Sequence, residues 1–426
     1  MGFQQGLSGL NAASRGLDVI GHNIANANTN GMKASRAEFA ELYAASLGST
    51  GGVSAGIGVE IDAISQQFTQ GNINITGNDL DVAINGAGFF QVSMPDGSTA
   101  YSRAGAFKLD RDGNIVTNDG AQLMGYPTTT DGTRLSFEPE ALKLPTSAPI
   151  GARQTENITA EMNLDARAAV AATAVPPIPL TTYGTSLVAY DAQGVEIPVA
   201  LYFTKTNPGA IAGNGTNTWD VFTSVNGSDP TLSTPFTLTF LSNGQIDPAS
   251  ITPAPTLTLI SPNDPTFDPL NPGDASVATN PITVTLNLDN MTQYGTRFAV
   301  SDLSQDGYTA GELTGITIED NGVITARYSN GESQAAGQVA LVNFRNVQGL
   351  APVGGYWIET FASGQPVRGS PGEGNFGQLR SGALEESNVD LTQELVNMMT
   401  AQRTYQANAQ TIKTQDQILS TIVNLR

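Results

Sequence analysis

The C-terminal stretch LTQELVNMMTAQRTYQANAQTIKTQDQILSTIVNLR (391–426) decides how this chain folds. Apolar residues recur along it at alternating four- and three-residue steps, the heptad pattern of a helix that packs against other helices. These residues are Leu391, Leu395, Met398, Tyr405, Ala409, Ile412, Leu419 and Val423, with Gln402 and Asp416 as polar steps. No Pro or Gly occurs from Ala383 to Arg426, and Ser387 or Asp390 can cap the helix start. The pattern predicts one long helix with an apolar seam.

The N-terminus carries a weaker stripe of the same kind. Its apolar steps are Phe3, Leu7, Leu10, Leu17 and Ile24, and it ends in the turn-like run 26–31. An apolar stripe must be covered for a helix to be stable, so the cover comes from the opposite terminus or from other copies of the chain. A helical hairpin packed on its own domain is the plainer interpretation. The C-terminal seam is longer than the N-terminal helix can cover, which favours the subunit of a polymer.

The residues that flank the C-terminal seam are neutral and polar. They are Gln402, Gln406, Asn408, Gln410, Thr411, Gln415 and Gln417. A standalone two-stranded coiled coil usually carries Glu and Lys at such positions. Because a buried unpaired charge is expensive, neutral flanks suit a helix surrounded by sister helices, or the wall of a polar channel.

Composition limits the classes of function. The chain has 426 residues, a net charge of −20 and a pI near 4.2, which argues against binding to nucleic acid or to an anionic membrane. It has no Cys and one His, and no apolar run long enough to predict membrane insertion. The start, MGFQQGLSGL, lacks the basic and apolar regions of a secretory signal. We therefore expect any export to use a route that reads no such peptide.

The middle of the chain is predicted to be β-rich. Asn-Gly and Asp-Gly pairs, the strongest short hairpin signals, begin at Asn85, Asp96, Asp112, Asp119, Asp131, Asn226, Asn243, Asp306, Asn321 and Asn330. Composition shifts at 166–182 and 252–281 mark domain edges. The predicted division is a terminal helical core (1–27 plus 384–426), a connector of uncertain structure (28–71), an inner β-domain (72–145 plus 306–383) and an outer β-domain inserted into it (146–305).

No catalytic, cofactor or metal site is predicted. His22 stands alone on the N-terminal helix and is interpreted as a polar helix residue. The run 110–114 is weakly similar to a calcium loop but lacks the closing Glu, so a hairpin turn is the better interpretation. Glu138 and Glu140 could in principle serve a glycosidase, but nothing distinguishes them from solvated acids.

Long segments of the chain resemble a known family. LSGLNAASRGLDVIGHNIANANTNGMKASRAEF (7–39) and SGALEESNVDLTQELVNMMTAQRTYQANAQTIKTQDQILSTIVNLR (381–426) resemble the N- and C-terminal signatures of the axial proteins of the bacterial flagellum, the rod, hook and junction family. LDVAINGAGFFQV (80–92) and LMGYP (123–127) resemble the inner β-domain of that family. The hook branch is the best match, and the region 146–305 carries no such motif.

The resemblance implies an extracellular structural role in the hook. It implies export through the flagellar type III export apparatus without a cleaved signal, and self-association into a helical homopolymer. In such a tube the terminal helices pair as a coiled coil around the export channel, and β-domains form the outer layers. The implied hook is a curved, flexible universal joint that passes torque from rod to filament.

The implied neighbours are the distal rod protein, the hook–filament junction protein and the hook-capping protein. Two alternatives remain at this point. One is a distal rod or junction protein of the same family. The other is a β-rich secreted enzyme or adhesin with helical ends.

Overall fold

A computed structural model describes residues 2–43, 56–145, 149–171, 183–207, 217–268 and 280–424. The chain divides into two compact units. Unit 1 comprises Met1–Ser147, Thr314–Arg327 and Ser333–Arg426, and unit 2 comprises Ala148–Leu313 and Tyr328–Glu332.

The described residues form two long helices, short 3₁₀ turns and many short strands. The helices are α1 (Gly2–Ala25) and α2 (Leu391–Asn424), and the 3₁₀ turns are Pro230–Leu232, Pro248–Ser250 and Val347–Gly349. The strands are β1 (Ser35–Tyr43), β2 (Gly56–Gln66), β3 (Ile73–Ile75), β4 (Val82–Asn85), β5 (Phe89–Ser93), β6 (Thr99–Ser102), β7 (Lys108–Leu109), β8 (Ile115–Val116), β9 (Gln122–Tyr126), β10 (Glu140–Ala141), β11 (Asn157–Asp165), β12 (Tyr183–Tyr190), β13 (Glu196–Asn207), β14 (Asn217–Val225), β15 (Phe236–Phe240), β16 (Thr256–Leu259), β17 (Ile282–Asn287), β18 (Thr292–Tyr294), β19 (Ala299–Gln305), β20 (Leu313–Ile318), β21 (Val323–Tyr328), β22 (Ser333–Val339), β23 (Leu341–Asn343), β24 (Ala351–Val353), β25 (Tyr356–Ile358), β26 (Val367–Gly369), β27 (Gln378–Ser381) and β28 (Ala383–Glu385).

The start of α2 is set by a side-chain cap. Asp390 Oδ1 accepts hydrogen bonds from the backbone N–H groups of Thr392 at 2.8 Å and Gln393 at 3.2 Å. These bonds satisfy donors that have no partner in the first turn of a helix. The predicted long helix and its Asp390 cap are confirmed.

The connector predicted for 28–71 contains a β-hairpin. Strands β1 and β2 pair antiparallel, from Ser35 opposite Gln66 to Tyr43 opposite Gly56. The alternation of Val59 and Ile61 with acidic residues is the strand signal that the sequence offers in this segment. The segment therefore contains two regular strands, β1 and β2, where a connector of uncertain structure was predicted.

Within the described residues, unit 1 is built on a 13-stranded sheet. Its main path runs β20–β21–β22–β9–β5–β6–β25–β24. One side of the sheet carries an aromatic cluster in which Phe89 lies 5.4 Å from Trp357 and 6.2 Å from Phe344, centroid to centroid. Phe68, which follows β2, lies 5.6 Å from Trp357, so the segment that leaves the hairpin is packed on this cluster.

Several predicted Asp-Gly and Asn-Gly turns are confirmed in unit 1. Gly97, between β5 and β6, and Gly120, between β8 and β9, have φ of 83° and 81°. Glycine adopts this left-handed conformation without the steric cost that other residues incur. The run 110–114 turns between the antiparallel strands β7 and β8, as predicted. Asn85 differs, because β4 pairs with β27 and not with the strand that follows it.

Unit 2 has one core shared by two sheets. A four-stranded sheet has the order β12–β13–β14–β15, and a five-stranded sheet contains β16–β17–β11–β18 with β19 beside β11. Strand β11 pairs parallel with β17 and β18 and antiparallel with β19. The core includes Leu201, Phe203 and Trp219 from the first sheet and Val284 from the second. Asp306, predicted to open a hairpin, instead accepts backbone hydrogen bonds from the start of β11.

Candidate assembly surface of the terminal helices

The two terminal helices pack against each other along small residues. A Cβ atom added to Gly6 would meet Ile412 at 3.0 Å, and one added to Gly9 would meet the Asn408 side chain at 2.9 Å. The contact moves backward along α2 as it moves forward along α1, so the helices are antiparallel. The absence of side chains at these glycines lets the two backbones approach closely.

The contact of α1 with α2 includes positions that the predicted seam did not contain. Gly6 and Gly9 contact α2, and Ala12, Ala13, Val19 and Asn23 of α1 are buried. One residue of the predicted polar flanks of α2, Asn408, lies opposite Gly9. The role of Gly6 and Gly9 was not predicted from the sequence.

The predicted seam residues divide into two groups in the single chain. The exposed ones are Phe3, Leu7, Leu391, Leu395, Tyr405 and Leu419. The half-buried ones are Leu10, Leu17, Ile24, Met398, Ala409 and Ile412. Leu395 exposes 51% of its surface and Phe3 exposes 46%. Val423 lies among the residues whose side chains the structure does not describe.

Other apolar residues widen the exposed strip on α2. Val396, Met399 and Ile418 are exposed, next to the predicted seam positions. Several large apolar side chains left exposed along one helix mark an interaction surface more often than scattered single ones do. We define the exposed helical strip as Phe3 and Leu7 of α1 with Leu391, Leu395, Val396, Met399, Tyr405, Ile418 and Leu419 of α2.

The polar residues of α2 satisfy much of their hydrogen bonding within the helix. The hydroxyls of Thr400, Thr404, Thr411 and Thr414 each donate to the carbonyl oxygen four residues earlier, at 2.9–3.0 Å. Such hydroxyls need no outside partner. The helix can therefore face either water or a neighbouring helix at low cost.

The β1–β2 hairpin lies against α1. Gln5 Nε2 donates to the carbonyl oxygen of Gly56 at 2.7 Å, and the backbone N–H of Val59 donates to Ser8 Oγ at 3.3 Å. Phe39 lies 3.7 Å from the Cβ position of Gly16. A groove of about 920 Å³ runs between α1, the hairpin and α2.

Two asparagine side chains tie the base of the helices to the hairpin. Asn23 Nδ2 donates to the carbonyl oxygen of Ser35 at 2.8 Å, and its Oδ1 accepts from the Ser35 N–H at 2.9 Å. Asn388 Oδ1 accepts from the Ala34 N–H at 2.8 Å, and its Nδ2 donates to the Gln67 carbonyl oxygen at 2.7 Å. Side-chain amides here replace the backbone pairing that a strand would supply.

A buried ionic cluster lies beside these asparagines. Glu385 Oε1 bonds Lys33 Nζ, and Glu385 Oε2 accepts from Arg103 Nη1 at 3.0 Å. The side chains of Lys33 and Glu385 are fully buried, and that of Arg103 is 6% exposed. Lys33 also donates to the Thr69 carbonyl oxygen at 2.9 Å, and Arg103 to that of Gly86 at 2.8 Å. Sequence reasoning missed this cluster.

Comparison with protein families matches most of the chain piece by piece. Residues 3–33 match the flagella basal body rod protein model, and 83–163 match the D1 domain model of flagellar hook protein FlgE/F/G. Residues 163–308 match the D2 domain model of flagellar basal body protein FlaE, and 380–425 the C-terminal model of the rod FlgEFG proteins.

Relatives align over the full length of the chain. The flagellar hook proteins FlgE of Salmonella typhimurium and Escherichia coli are each 40% identical, covering 100% of this chain and 100% of their own. The FlgE of Treponema pallidum is 32% identical over 99% of this chain and 98% of its own. The chain belongs to the flagellar hook protein family.

As a hook protein, the chain is a structural subunit of the flagellar hook and not an enzyme. A crystal structure of the Helicobacter pylori hook protein FlgE2 superposes with a TM-score of 0.54 at 16% identity, over 73% of this chain and 100% of that one. This likeness concerns the fold alone. It matches a β-rich, multidomain architecture with terminal helices.

One residue considered as a candidate for chemistry is His22, the one histidine of the chain. His22 is exposed on α1, with Nδ1 3.2 Å from Asn26 Nδ2. Across the described ranges, no group of three or more His, Asp or Glu side chains is placed to hold a metal ion. Neither described helix combines the length and apolar character needed to cross a membrane.

Proposed function

We propose that the chain polymerises into a curved, flexible tube whose subunits contact each other through the exposed helical strip. The tube would pass torque from rod to filament as a universal joint around an export channel. One observation carries this proposal: the apolar side chains of the exposed helical strip face solvent in the single chain. Membership of the hook family supports the assignment of those faces to copies of the same protein.

The energy available from the strip is substantial. Full burial of a Leu or Phe side chain is worth about 1.5–3 kcal/mol. Phe3, Leu391, Leu395 and Leu419 are each about half exposed in the single chain, so covering each would add roughly 1 kcal/mol. Because each subunit in a helical array meets several neighbours, these increments add at every copy.

The seam geometry gives the contact its proposed form. Positions Phe3, Leu7, Leu10, Leu17 and Ile24 of α1 and positions Leu391, Leu395, Met398, Tyr405, Ala409, Ile412, Leu419 and Val423 of α2 would pack on sister helices as a coiled coil. The threonine hydroxyls that bond within α2 support this, since they need no partner from a neighbouring helix. The neutral flanks of α2 would suit the wall of a polar channel.

A layered organisation follows from the proposed tube. Residues 1–27 and 384–426 would form the inner helical layer, 28–71 its connection, 72–145 with 306–383 the inner β-layer, and 146–305 the outer layer. The proposed partners are other copies, the distal rod protein, the hook–filament junction protein, the hook-capping protein and the flagellar type III export apparatus. The proposed location is extracellular, reached without a cleaved signal.

The decisive test removes apolar surface from the strip alone. Leu395→Gln and Leu419→Gln, singly and together, should raise the protein concentration needed for tube formation by about fivefold each, the effect of roughly 1 kcal/mol. Leu135→Gln is the matched control, because Leu135 is an exposed leucine outside the helices. Circular dichroism would check that helix content is retained.

Electron microscopy of the assembled protein reads the outcome. Curved tubes from the unchanged chain and from Leu135→Gln, with fewer or none from the double variant, support the proposal. Equal assembly by all variants would show that the exposed helical strip is not part of the contact between subunits. Straight rods would favour the role of a flagellar rod protein.

A further inference from the structure

We propose that Glu385 is a positioning residue, whose buried carboxylate fixes both terminal helices to the sheet of unit 1 by holding Lys33 and Arg103 together. This inference concerns a single chain and holds whether or not copies assemble. It starts from the ionic cluster, in which one carboxylate meets two cations with almost no exposure to solvent.

The cluster joins three segments that are distant in the sequence. Lys33 lies in the short segment between α1 and β1, and Glu385 ends β28 shortly before α2. Arg103 follows β6, a central strand of the 13-stranded sheet. Glu385 therefore bonds directly to the exit of α1 and to the sheet while it lies at the entrance of α2.

The backbone around Glu385 reinforces the same meeting point. The N–H of Gly31 donates to the Glu385 carbonyl oxygen at 2.7 Å, and the N–H of Gly71 donates to Oε1 at 3.0 Å. Strand β28 pairs with β3, with Glu385 opposite Ile73. The carboxylate and the main chain of this residue thus contact the segments on both sides of the hairpin.

The charge balance makes the carboxylate hard to replace. Burial lowers the pKa of Lys33 below its ordinary value, and Glu385 opposes that effect. Burial likewise lowers the pKa of Arg103. Loss of the carboxylate charge would leave two desolvated cations facing each other, which is the most costly way to break a buried ion pair.

Loss of Glu385 should loosen the segments around the terminal helices more than the sheet. Asn23 and Asn388 bond to backbone atoms beside Lys33 and depend on the alignment that the ionic cluster sets. The sheet strands β5 and β6 are held by their own pairing and by the aromatic cluster. Loss of Glu385 should therefore release the helices and hairpin before it disturbs the sheet.

Hydrogen exchange on the full-length chain at low concentration tests this. In Glu385→Gln, amides of β1, β3 and β28 should exchange about 100-fold faster or more, while β5 and β6 and the strands of unit 2 keep their protection. Glu386→Gln is the control, because it makes the same change one residue later on a partly exposed side chain. The control should exchange like the unchanged chain.

A second substitution separates charge from shape. Lys33→Met added to Glu385→Gln removes one of the two unpaired cations, so exchange should slow at least tenfold relative to Glu385→Gln alone. A residue that only fills space would give no such rescue. The proposal is overturned if Glu385→Gln leaves β3 and β28 protected, if it unfolds β5 and β6 to the same extent, or if Lys33→Met gives no recovery.

Discussion

The core of unit 2 and the terminal helices of unit 1 differ in the solvent exposure of their apolar side chains. Leu201 and Trp219 of unit 2 are fully buried, whereas Leu395 and Phe3 of the helices expose about half of their surface, 51% and 46%. Unit 2 therefore completes its core within one chain. The helices contact each other at Gly6 and Gly9 of α1, and several of their larger apolar side chains stay exposed.

This difference separates two sources of stability. A residue in the core of unit 2 should affect the free energy of unfolding and little else. A residue of the exposed helical strip should affect association and leave the single chain almost unchanged. Four changes test that separation, in order of decreasing expected effect.

The largest change is the removal of most of unit 2. Ile150 and Gly311 pair as an antiparallel bridge, with the Ile150 N–H donating to the Gly311 carbonyl oxygen at 2.8 Å. A short glycine–serine turn can therefore replace residues 151–310 without stretching the chain. We expect the shortened protein to keep its terminal helices and to form tubes of altered width and curvature, measured by electron microscopy. Complete loss of assembly would show that the two regions are not separable.

A matched pair of leucine substitutions comes next. Leu201→Ala should lower the free energy of unfolding of unit 2 by about 2–5 kcal/mol, because it leaves a cavity in a closed core. Leu395→Ala makes the same chemical change on an exposed helix face and should cost less than about 1 kcal/mol in the single chain. Urea unfolding followed by Trp219 fluorescence, in a Trp357→Phe background, reports the first, and circular dichroism of the helices reports the second. Equal losses would contradict the comparison.

The third change concerns a buried acid of unit 2. Burial alone would raise the pKa of Asp191, but hydrogen bonds from Ser261 Oγ at 2.5 Å and from the N–H groups of Gln193 and Val195, each at 2.8 Å, outweigh it and lower the pKa below 3.8. The stabilisation is therefore present above about pH 4 and is lost as the pH falls through the lowered value.

Asp191→Asn should accordingly cost about 1–3 kcal/mol at pH 7. Its difference from the unchanged chain should shrink as the pH falls below about 3.8, the ordinary Asp value. Urea midpoints at pH 7 and pH 3 measure this, with Glu196→Gln as a control on the adjacent strand β13. A gap that widens in acid would mean that the hydrogen bonds do not favour the charged carboxylate.

The smallest change compares two glycines of α1. A Cβ on Gly21 would meet nothing within 4 Å, so Gly21→Ala should stabilise the helix by about 0.5–1 kcal/mol. A Cβ on Gly9 would meet the Asn408 side chain at 2.9 Å, so Gly9→Ala should lose most of that gain. Amide exchange of α1 gives both values. A similar gain at both sites would mean that α1 and α2 are not in close contact.

The predictable parts of the fold were those with local causes. The cap at Asp390 and the turns at Gly97 and Gly120 follow from residues within a few positions of each other. The extent of α2 follows from its periodicity and the absence of Pro and Gly. The β-hairpin was not predicted because no Asn-Gly or Asp-Gly pair joins its strands, the first of which ends at Tyr43 and the second of which begins at Gly56.

The helix contact was only partly predictable. The apolar seam was predicted, and its member Ile412 lies against Gly6 in the single chain, but the glycines of the contact were not predicted. The contact uses Gly6 and Gly9, and glycine within a helix is more often a cost than a signal. The ionic cluster was invisible for a different reason. Lys33 and Glu385 look like ordinary surface charges until the fold brings them together.

The pairing of Lys33 with Glu385 sets the order in which parts of the chain can fold during synthesis. These residues are separated by 352 positions. Because synthesis proceeds from the N-terminus, Lys33 cannot pair with Glu385 until almost all of the chain has been translated. A chain whose translation stopped shortly before Glu385 would therefore lack the ion pair that fixes the C-terminal end of α1.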